Sequence, residues 1–240
     1  SIYPNIIENF KYVRIESDKR LVNIFNKSFK RNIFYEEGYY SNSNKINKFE
    51  SVVYAGSLLK LYKNSVKDFK NTKYLLTEKH IVDEIKKDLS KFQKKIKIGI
   101  SWKSKVSVYG NLKSLSIKDF EPIFGNDRLI VNLQYGDIAT DLDYLIKRNK
   151  NLIILNKINL FNDIEYCMGL LKNLDIFVTV SNSTAHFAGA LGVPTILLCP
   201  KKSSTYYYWN VKNGSSIWYK SIKVLGIENS VSRTIVKVNE

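Results

Sequence analysis

From residue 97 onward the chain repeats one pattern, in which short apolar runs alternate with segments that read as helices. The runs are 97–102 (KIGISW), 129–135 (LIVNLQY), 151–155 (NLIIL), 175–180 (DIFVTV) and 195–199 (TILLC). They are nearly continuous in apolar residues, as strands buried on both faces must be. Between them, 116–124, 141–148, 163–173 and 183–191 read as helices, and 105–113 as a loop. Ser116 can cap the first of these helices, with Asp119 as its partner at the third helical position. Strands and helices joined by short connections predict a parallel sheet covered on both faces.

Upstream the pattern is looser. Residues 12–16 and 31–36 are β-rich, and 19–29 sets Leu21, Ile24, Phe25 and Phe29 at helical spacing. A polar, Asn/Ser-rich loop covers 38–48. Residues 50–55 suit a short strand, and Ser57 a helix cap before Leu58. Thr77 can cap a helix running to about residue 92, with Ile81, Ile85 and Leu89 on one face. The change of texture near residues 92–96 sets the expected boundary: a small N-terminal α/β domain over 1–94 and a Rossmann-like domain over 95–240.

Composition narrows the function classes. Of 240 residues, 44% are hydrophobic and 13% aromatic, enough for a core, which argues against wholesale disorder. The apolar stretch at 193–199 is too short to cross a bilayer, and the N-terminus lacks a signal-peptide pattern. Two cysteines, Cys167 and Cys199, and two histidines, His80 and His186, cannot make a zinc site of the usual local spacing or a disulfide scaffold. The expected compartment is reducing and cytoplasmic. The net charge is +16, but lysines are spread along the chain and arginine, the usual reader of bases, is scarce. Nucleic acid is therefore not an expected partner, whereas anionic metabolites or peripheral contact with an anionic membrane are. The chain begins at Ser1, as a processed product or a piece of a longer protein would.

In open parallel sheets ligands bind outside the carboxyl ends of the strands. The first four runs deliver Ser101 and Trp102, then Gln134 and Tyr135, then Leu160 and Asp163, then Ser181, Asn182, Ser183 and Thr184. The last group opens a helix that also carries His186. Free N–H groups at a helix start favour an anion, and the Ser and Thr hydroxyls add donors. A plain capped helix with a half-buried histidine is the structural alternative. Lys103 and Lys113 follow the first strand and can neutralise a diphosphate, Lys113 being better placed before the next helix. No phosphate loop, dinucleotide fingerprint or G-x-S-x-G elbow is present.

The series Gly99-Ile100-Ser101-Trp102-Lys103-Ser104, Lys113-Ser114-Leu115, Asn132-Leu133-Gln134-Tyr135-Gly136-Asp137 and 181–195 (SNSTAHFAGALGVPT) resembles bacterial glycosyltransferases of the heptosyltransferase-like family 9. Within it, the resemblance is to the domain often fused behind tetratricopeptide repeats. Trp209 and 216–219 (SIWY) are similar to segments of that subgroup, and Arg20-Leu21-Val22 with Lys27-Ser28-Phe29 to its first domain. The resemblance implies a GT-B-like α/β fold: two Rossmann-like parallel-sheet domains, the N-terminal one short or truncated here. It implies inverting, metal-independent transfer from a nucleotide-diphosphate sugar, with no cofactor. The acceptor would be a glycan, a lipid-linked glycan or a protein, and tetratricopeptide repeats would precede this region in a longer chain.

Carried over, Asn182, Ser183, Thr184 and His186 face the diphosphate, and Ser181 begins that segment. Ser101 and Trp102 line the cleft, with Gln134 and Tyr135 beside them. Lys113 and His186 stabilise the leaving group, Asp141 holds a ribose hydroxyl, and the backbone near Leu160 and Asp163 meets the base. Ser181 stands where heptosyltransferases generally have Asp, and Tyr207 where the subgroup has Trp. The glycine-containing opening of the family's first domain is not found, so no catalytic base is named. The alternatives are a non-catalytic sugar-nucleotide or glycan-binding module, or an inactive fragment of such an enzyme. A basic protein that binds RNA or an anionic surface is a third.

Overall fold

The computed structural model describes residues 2–70, 73–92, 95–105, 110–149, 151–199, 209, 211, 212 and 214–227. Two compact units divide the chain, Ser1–Leu76 and Thr77–Glu240. The expected boundary after residue 94 thus falls inside the second unit.

In the first unit, helix α1 (Tyr3–Asn9) precedes strand β1 (Ile15–Ser17), helix α2 (Lys19–Phe29) and strand β2 (Phe34–Glu36). The two strands pair in parallel across the helix. Asp18 caps α2 through Arg20 N, and the helix ends at Lys30 in the left-handed region. Asn26 ties α2 to β2: its carbonyl accepts from Ile33 N and Phe34 N, and its amide donates to Phe34 O. Tyr3, Phe25, Phe29 and Phe34 pack ring against ring at 5.1–6.2 Å. A short 3-10 helix (Asn44–Lys48) and helix α3 (Leu59–Tyr62) follow. The strand expected over 50–55 does not form. Val52, Val53 and Tyr54 are exposed there, and β-propensity has no effect without a half-buried surface to fit. Ser57 makes no cap; α3 starts after Leu58 without a side-chain bond.

The second unit opens with helix α4 (Lys79–Asp88), shorter than the sequence suggests because its last turn tightens into a 3-10 turn at Ser90–Phe92. Glu78, not Thr77, occupies its N-cap position. Strands β3 (Ile96–Ser101), β4 (Arg128–Asn132), β5 (Leu152–Ile153), β6 (Ile176–Val180) and β7 (Thr195–Cys199) follow the expected runs. They are interleaved with α5 (Gly110–Lys113), α6 (Ala139–Arg148), α7 (Ile164–Lys172) and α8 (Ser183–Leu191). Short strands β8 (Val211–Lys212) and β9 (Ser215–Ser216) then lead to β10 (Ile222–Gly226).

The strand order is β5-β4-β3-β6-β7-β10-β9-β8. The first six are parallel and the last two pairings antiparallel. Counted along the chain, the parallel strands lie in the order 3-2-1-4-5-6, the doubly wound arrangement of dinucleotide-binding folds. The sixth parallel strand, β10, was not anticipated; its run is short and broken by Lys223.

Residues 117–123, expected as α-helix, form a 3-10 helix. The Ser116–Asp119 capping box is present, but Pro122 lacks the N–H that an α-helical turn needs. The core on that side joins Ile98, Ile100 and Trp102 of the β3 segment to Phe120, Ile130, Leu145 and Val178. On another side α4 packs close to α7. A β-carbon at Gly169 would stand 2.7 Å from Ile81 Cγ2, so a larger residue would push the helices apart. Lys157 sits 2.7 Å from both Asp88 and Glu84 of α4; the hydrogen bonds that its ammonium donates to these carboxylates raise its pKa.

Candidate functional site

The sheet's winding reverses between β3 and β6, and a crevice at the carboxyl ends of such strands is where doubly wound folds take ligands. The residues leaving these two strands are joined directly. The Asn182 side-chain amide donates to Ser101 Oγ at 2.8 Å and to Thr179 Oγ1 at 3.2 Å. Its carbonyl accepts from Ala185 N at 3.1 Å, which caps α8. Asn182 therefore sets where the helix starts and fixes that start to the neighbouring strand.

Gln134 fastens the next strand to the same point. Its side-chain carbonyl accepts from Ser101 Oγ, Trp102 N and Lys103 N at 2.7–2.9 Å. Its amide donates to Tyr135 O. Trp102 turns its indole N–H to Asp141 at 2.9 Å, and Lys103 pairs with the same carboxylate oxygen. Ser101, Trp102 and Gln134 are 0–2% exposed. Ser101 and Trp102, expected to line the cleft, are thus buried within the sheet edge. Asp141, the expected ribose ligand, is held by Trp102 and Lys103.

The start of α8 is mostly buried. Ser183 is exposed at the helix start, whereas Thr184 is buried. The backbone N–H groups of Ser183 and Thr184 have no partner within the helix, as at any helix start. Ser181 is buried and accepts from Trp209 Nε1 at 2.9 Å. Trp209 in turn stacks on the His186 imidazole at 4.5 Å between centroids, and Tyr219 OH lies 3.2 Å from His186 Nδ1. Gly189 makes this contact possible. A β-carbon there would come within 2.4 Å of the Tyr219 ring. Burial pushes the His186 pKa down to about 4, and the cation of Lys113 adds to the effect, so the ring is neutral at pH 7. A Tyr219 hydroxyl that donates to Nδ1 leaves the N–H on Nε2, a donor suited to an anion. Lys113 itself is 3% exposed, at the end of α5, a single helical turn within the expected loop.

A second group of expected residues lies beyond β4 and β5. Tyr135 faces Phe161 with ring centroids 5.7 Å apart. Leu160 is half-buried beside it, and Asp163 accepts from Asn159 N, closing the turn before α7. In sequence Trp209 and Tyr219 stand out without being placed at the site, and nothing singles out Phe161 or Lys105, whose ammonium lies 5.7 Å from the Phe161 ring. The Trp and Tyr residues near the C-terminus were a visible signal, but nothing local connects them to His186. Among the described residues no group of three or more His, Cys, Asp or Glu is placed to hold a metal, and no helix is long and apolar enough to cross a membrane.

The fold has solved counterparts. The structure superimposes on ADP-heptose LPS heptosyltransferase II of E. coli with a TM-score of 0.50 and 13% identity, over 74% of this chain and 56% of that one. The fold is α/β and GT-B-like, with a mainly parallel sheet. At such identity the likeness speaks for the fold alone. A glycosyltransferase family 9 protein from Veillonella parvula DSM 2008 gives a TM-score of 0.47 and 14% identity, over 70% of this chain and 48% of that one. In sequence, Protein FlbA of Caulobacter vibrioides (strain ATCC 19089 / CIP 103742 / CB 15) is 25% identical over 232 residues, covering 87% of this chain and 39% of FlbA. The chain thus spans well under two thirds of the length of these relatives. No protein-family model matches it.

Proposed function

We propose that the chain is a nucleotide-sugar-dependent glycosyltransferase, or the donor-binding part of one, and that α8 and Lys113 receive the diphosphate. The observation that carries this reading is the start of α8 at the switch point, with Ser183 exposed and a buried lysine and a neutral histidine nearby. Two free N–H groups, a hydroxyl, an ammonium and an imidazole N–H suit an anion that gains charge as its bond to the sugar breaks. The anomeric carbon takes on oxocarbenium character in that step, and the protein's task is to stabilise the departing diphosphate. Transfer would be metal-independent, because the lysine and helix start supply the positive potential, and inverting, as the family resemblance implies. Tyr135 and Phe161 offer ring faces to a base.

The acceptor would be a glycan, a lipid-linked glycan or a protein, and repeats of the tetratricopeptide type would belong to a longer chain. Calorimetry and thermal shift with UDP, GDP, ADP, CMP and their sugars, with and without magnesium, test the reading. Saturable, magnesium-independent binding of one nucleoside diphosphate supports it. A well-folded sample that binds none of them refutes it. Turnover of the matching nucleotide sugar separates an enzyme from a non-catalytic binding module.

A further inference from the structure

The first unit has a pocket of about 350 Å³, at the lower end of the size range of small-molecule sites. Three cations line it, Arg14, Lys45 and Lys48, together with the rings of Tyr12, Tyr39, Tyr40 and Phe49. Lys45 and Lys48 are three residues apart on the 3-10 helix Asn44–Lys48, so their side chains emerge on one side. Tyr12 is 80% exposed and Tyr39 47%, so these two phenols offer hydroxyls to the rim, while the Tyr40 hydroxyl is engaged with Tyr35 and Arg14.

The wall is built rather than accidental. The Glu16 carboxylate accepts from Gly38 N, Tyr40 N, Ser41 N and Ser41 Oγ, which pins the turn carrying Tyr39 and Tyr40. Gly38 supplies the left-handed φ of +87° that the turn requires. Tyr39 and Phe49 both pack edge-on against Tyr40 at 4.9–5.1 Å. Glu16 therefore spends its charge on backbone amides. Among the described residues no carboxylate forms an ion pair with Arg14, Lys45 or Lys48. The ammonium of Lys45 rests 4.1 Å from the Tyr39 ring centre, and the Arg14 guanidinium 5.9 Å from that of Tyr35.

We infer that this pocket binds an anionic carbohydrate, a sugar bearing a phosphate or a carboxylate. The cations meet the charge, the phenol hydroxyls meet the sugar's hydroxyls, and the ring surfaces cover its C–H face. The pocket is small, and its rings stand edge to face, which suits one sugar better than a run of stacked bases. The inference is independent of the diphosphate site, since every residue in it lies in the first unit.

Calorimetry on the full chain with glucose 6-phosphate, glucuronate, glucose and inorganic phosphate tests it. At least one charged sugar is expected to bind, more tightly than glucose or phosphate alone. Lys45→Gln/Lys48→Gln should weaken it roughly tenfold or more, the scale of a lost charge-assisted bond. Tyr12→Ser, at a position too exposed to affect folding, should also weaken it. Ser183→Asp, at the start of α8, should leave it unchanged. Binding of only the phosphorylated or only the carboxylated sugar identifies the anion, and either supports the inference. Four results overturn it: binding of neither sugar, binding indifferent to the double variant, binding lost in Ser183→Asp, or phosphate binding as tightly as its sugar ester. A single-stranded oligonucleotide that binds through Lys45 and Lys48 while the sugars do not would also overturn it.

Discussion

The side-chain amide of Asn182 lies 2.8 Å from Ser101 Oγ, and this bond crosses the point where the sheet's winding reverses. Ser101 ends β3 and Asn182 leaves β6, so one asparagine both caps α8 and ties it to the adjacent strand. Asn182→Ala should destabilise the protein by about 1–2 kcal/mol, from the lost cap and the lost buried bond. Urea denaturation measures this. Asn182→Ser, which can still cap, should recover part of the loss. Equal stability of the alanine variant and the parent would mean that the bond does not organise this edge.

Gly189 governs the aromatic support of His186. Its absent side chain leaves room for the Tyr219 ring, so Gly189→Ala forces an overpacked contact. The expected cost is about 1–3 kcal/mol. Because Tyr219 carries the hydroxyl beside His186 Nδ1, nucleoside diphosphate affinity should fall as well. Denaturation and calorimetry on the same variant read the two effects. Unchanged values for both would show that Tyr219 can move aside freely.

The depressed pKa of His186 has a defined consequence for stability. The folded protein holds the ring neutral down to about pH 4, whereas the unfolded chain binds the proton near pH 6.5. Between these values the unfolded state carries more protons, so stability rises with pH across the window and is flat above it. His186→Gln should remove this part of the slope. The check is the difference in denaturation midpoint between parent and variant, followed from pH 7 down to about pH 4. A difference that does not change with pH would place the imidazole in water.

Glu16 acts in the same sense at lower pH in the first unit. Burial pushes its pKa up, but hydrogen bonds from Ser41, Tyr40 and Gly38 outweigh this and bring it down to about 2. Its stabilisation is complete above the unfolded value near 4.5 and is lost as pH falls towards 2. Glu16→Gln should lower stability at pH 7 by about 1–2 kcal/mol, since a neutral amide accepts more weakly. It should also weaken ligand binding in the Tyr39–Tyr40 pocket, whose wall it pins. A variant as stable as the parent would show that the turn holds itself.

The sequence was most readable where burial left no choice. Strands β6 and β7 and helix α8 lie close to where their apolar runs put them, because a doubly covered sheet admits few other residues. The capping residues Ser116 and Asp119 were legible for the same local reason. What escaped was set by distant contacts. Strand β10 exists because β7 offers it an edge, and residues 50–55 form no strand and stay exposed because nothing does. At the site, Ser181, Asn182, Ser183, Thr184 and His186 came from one stretch of sequence. The burial of Trp102 against Asp141 and the stacking of Trp209 on His186 join residues 39 and 23 positions apart, respectively, and no local pattern signals them.

Lys113 and His186 are the side chains proposed to meet the diphosphate. Lys113→Ala and His186→Ala should each weaken its binding by roughly 1–3 kcal/mol. Calorimetry measures the change, and retained thermal stability must accompany it. Unaltered affinity in both variants would move the ligand elsewhere.

The most direct measurement is an amide and imidazole NMR titration of the full chain with the nucleoside diphosphate selected by the binding panel. The largest shifts are expected at the Ser183 and Thr184 amides and the His186 ring, saturating at one equivalent without magnesium. Shifts confined to other elements, or none at all from a folded sample, would contradict the assignment of the helix start at the switch point as the diphosphate site.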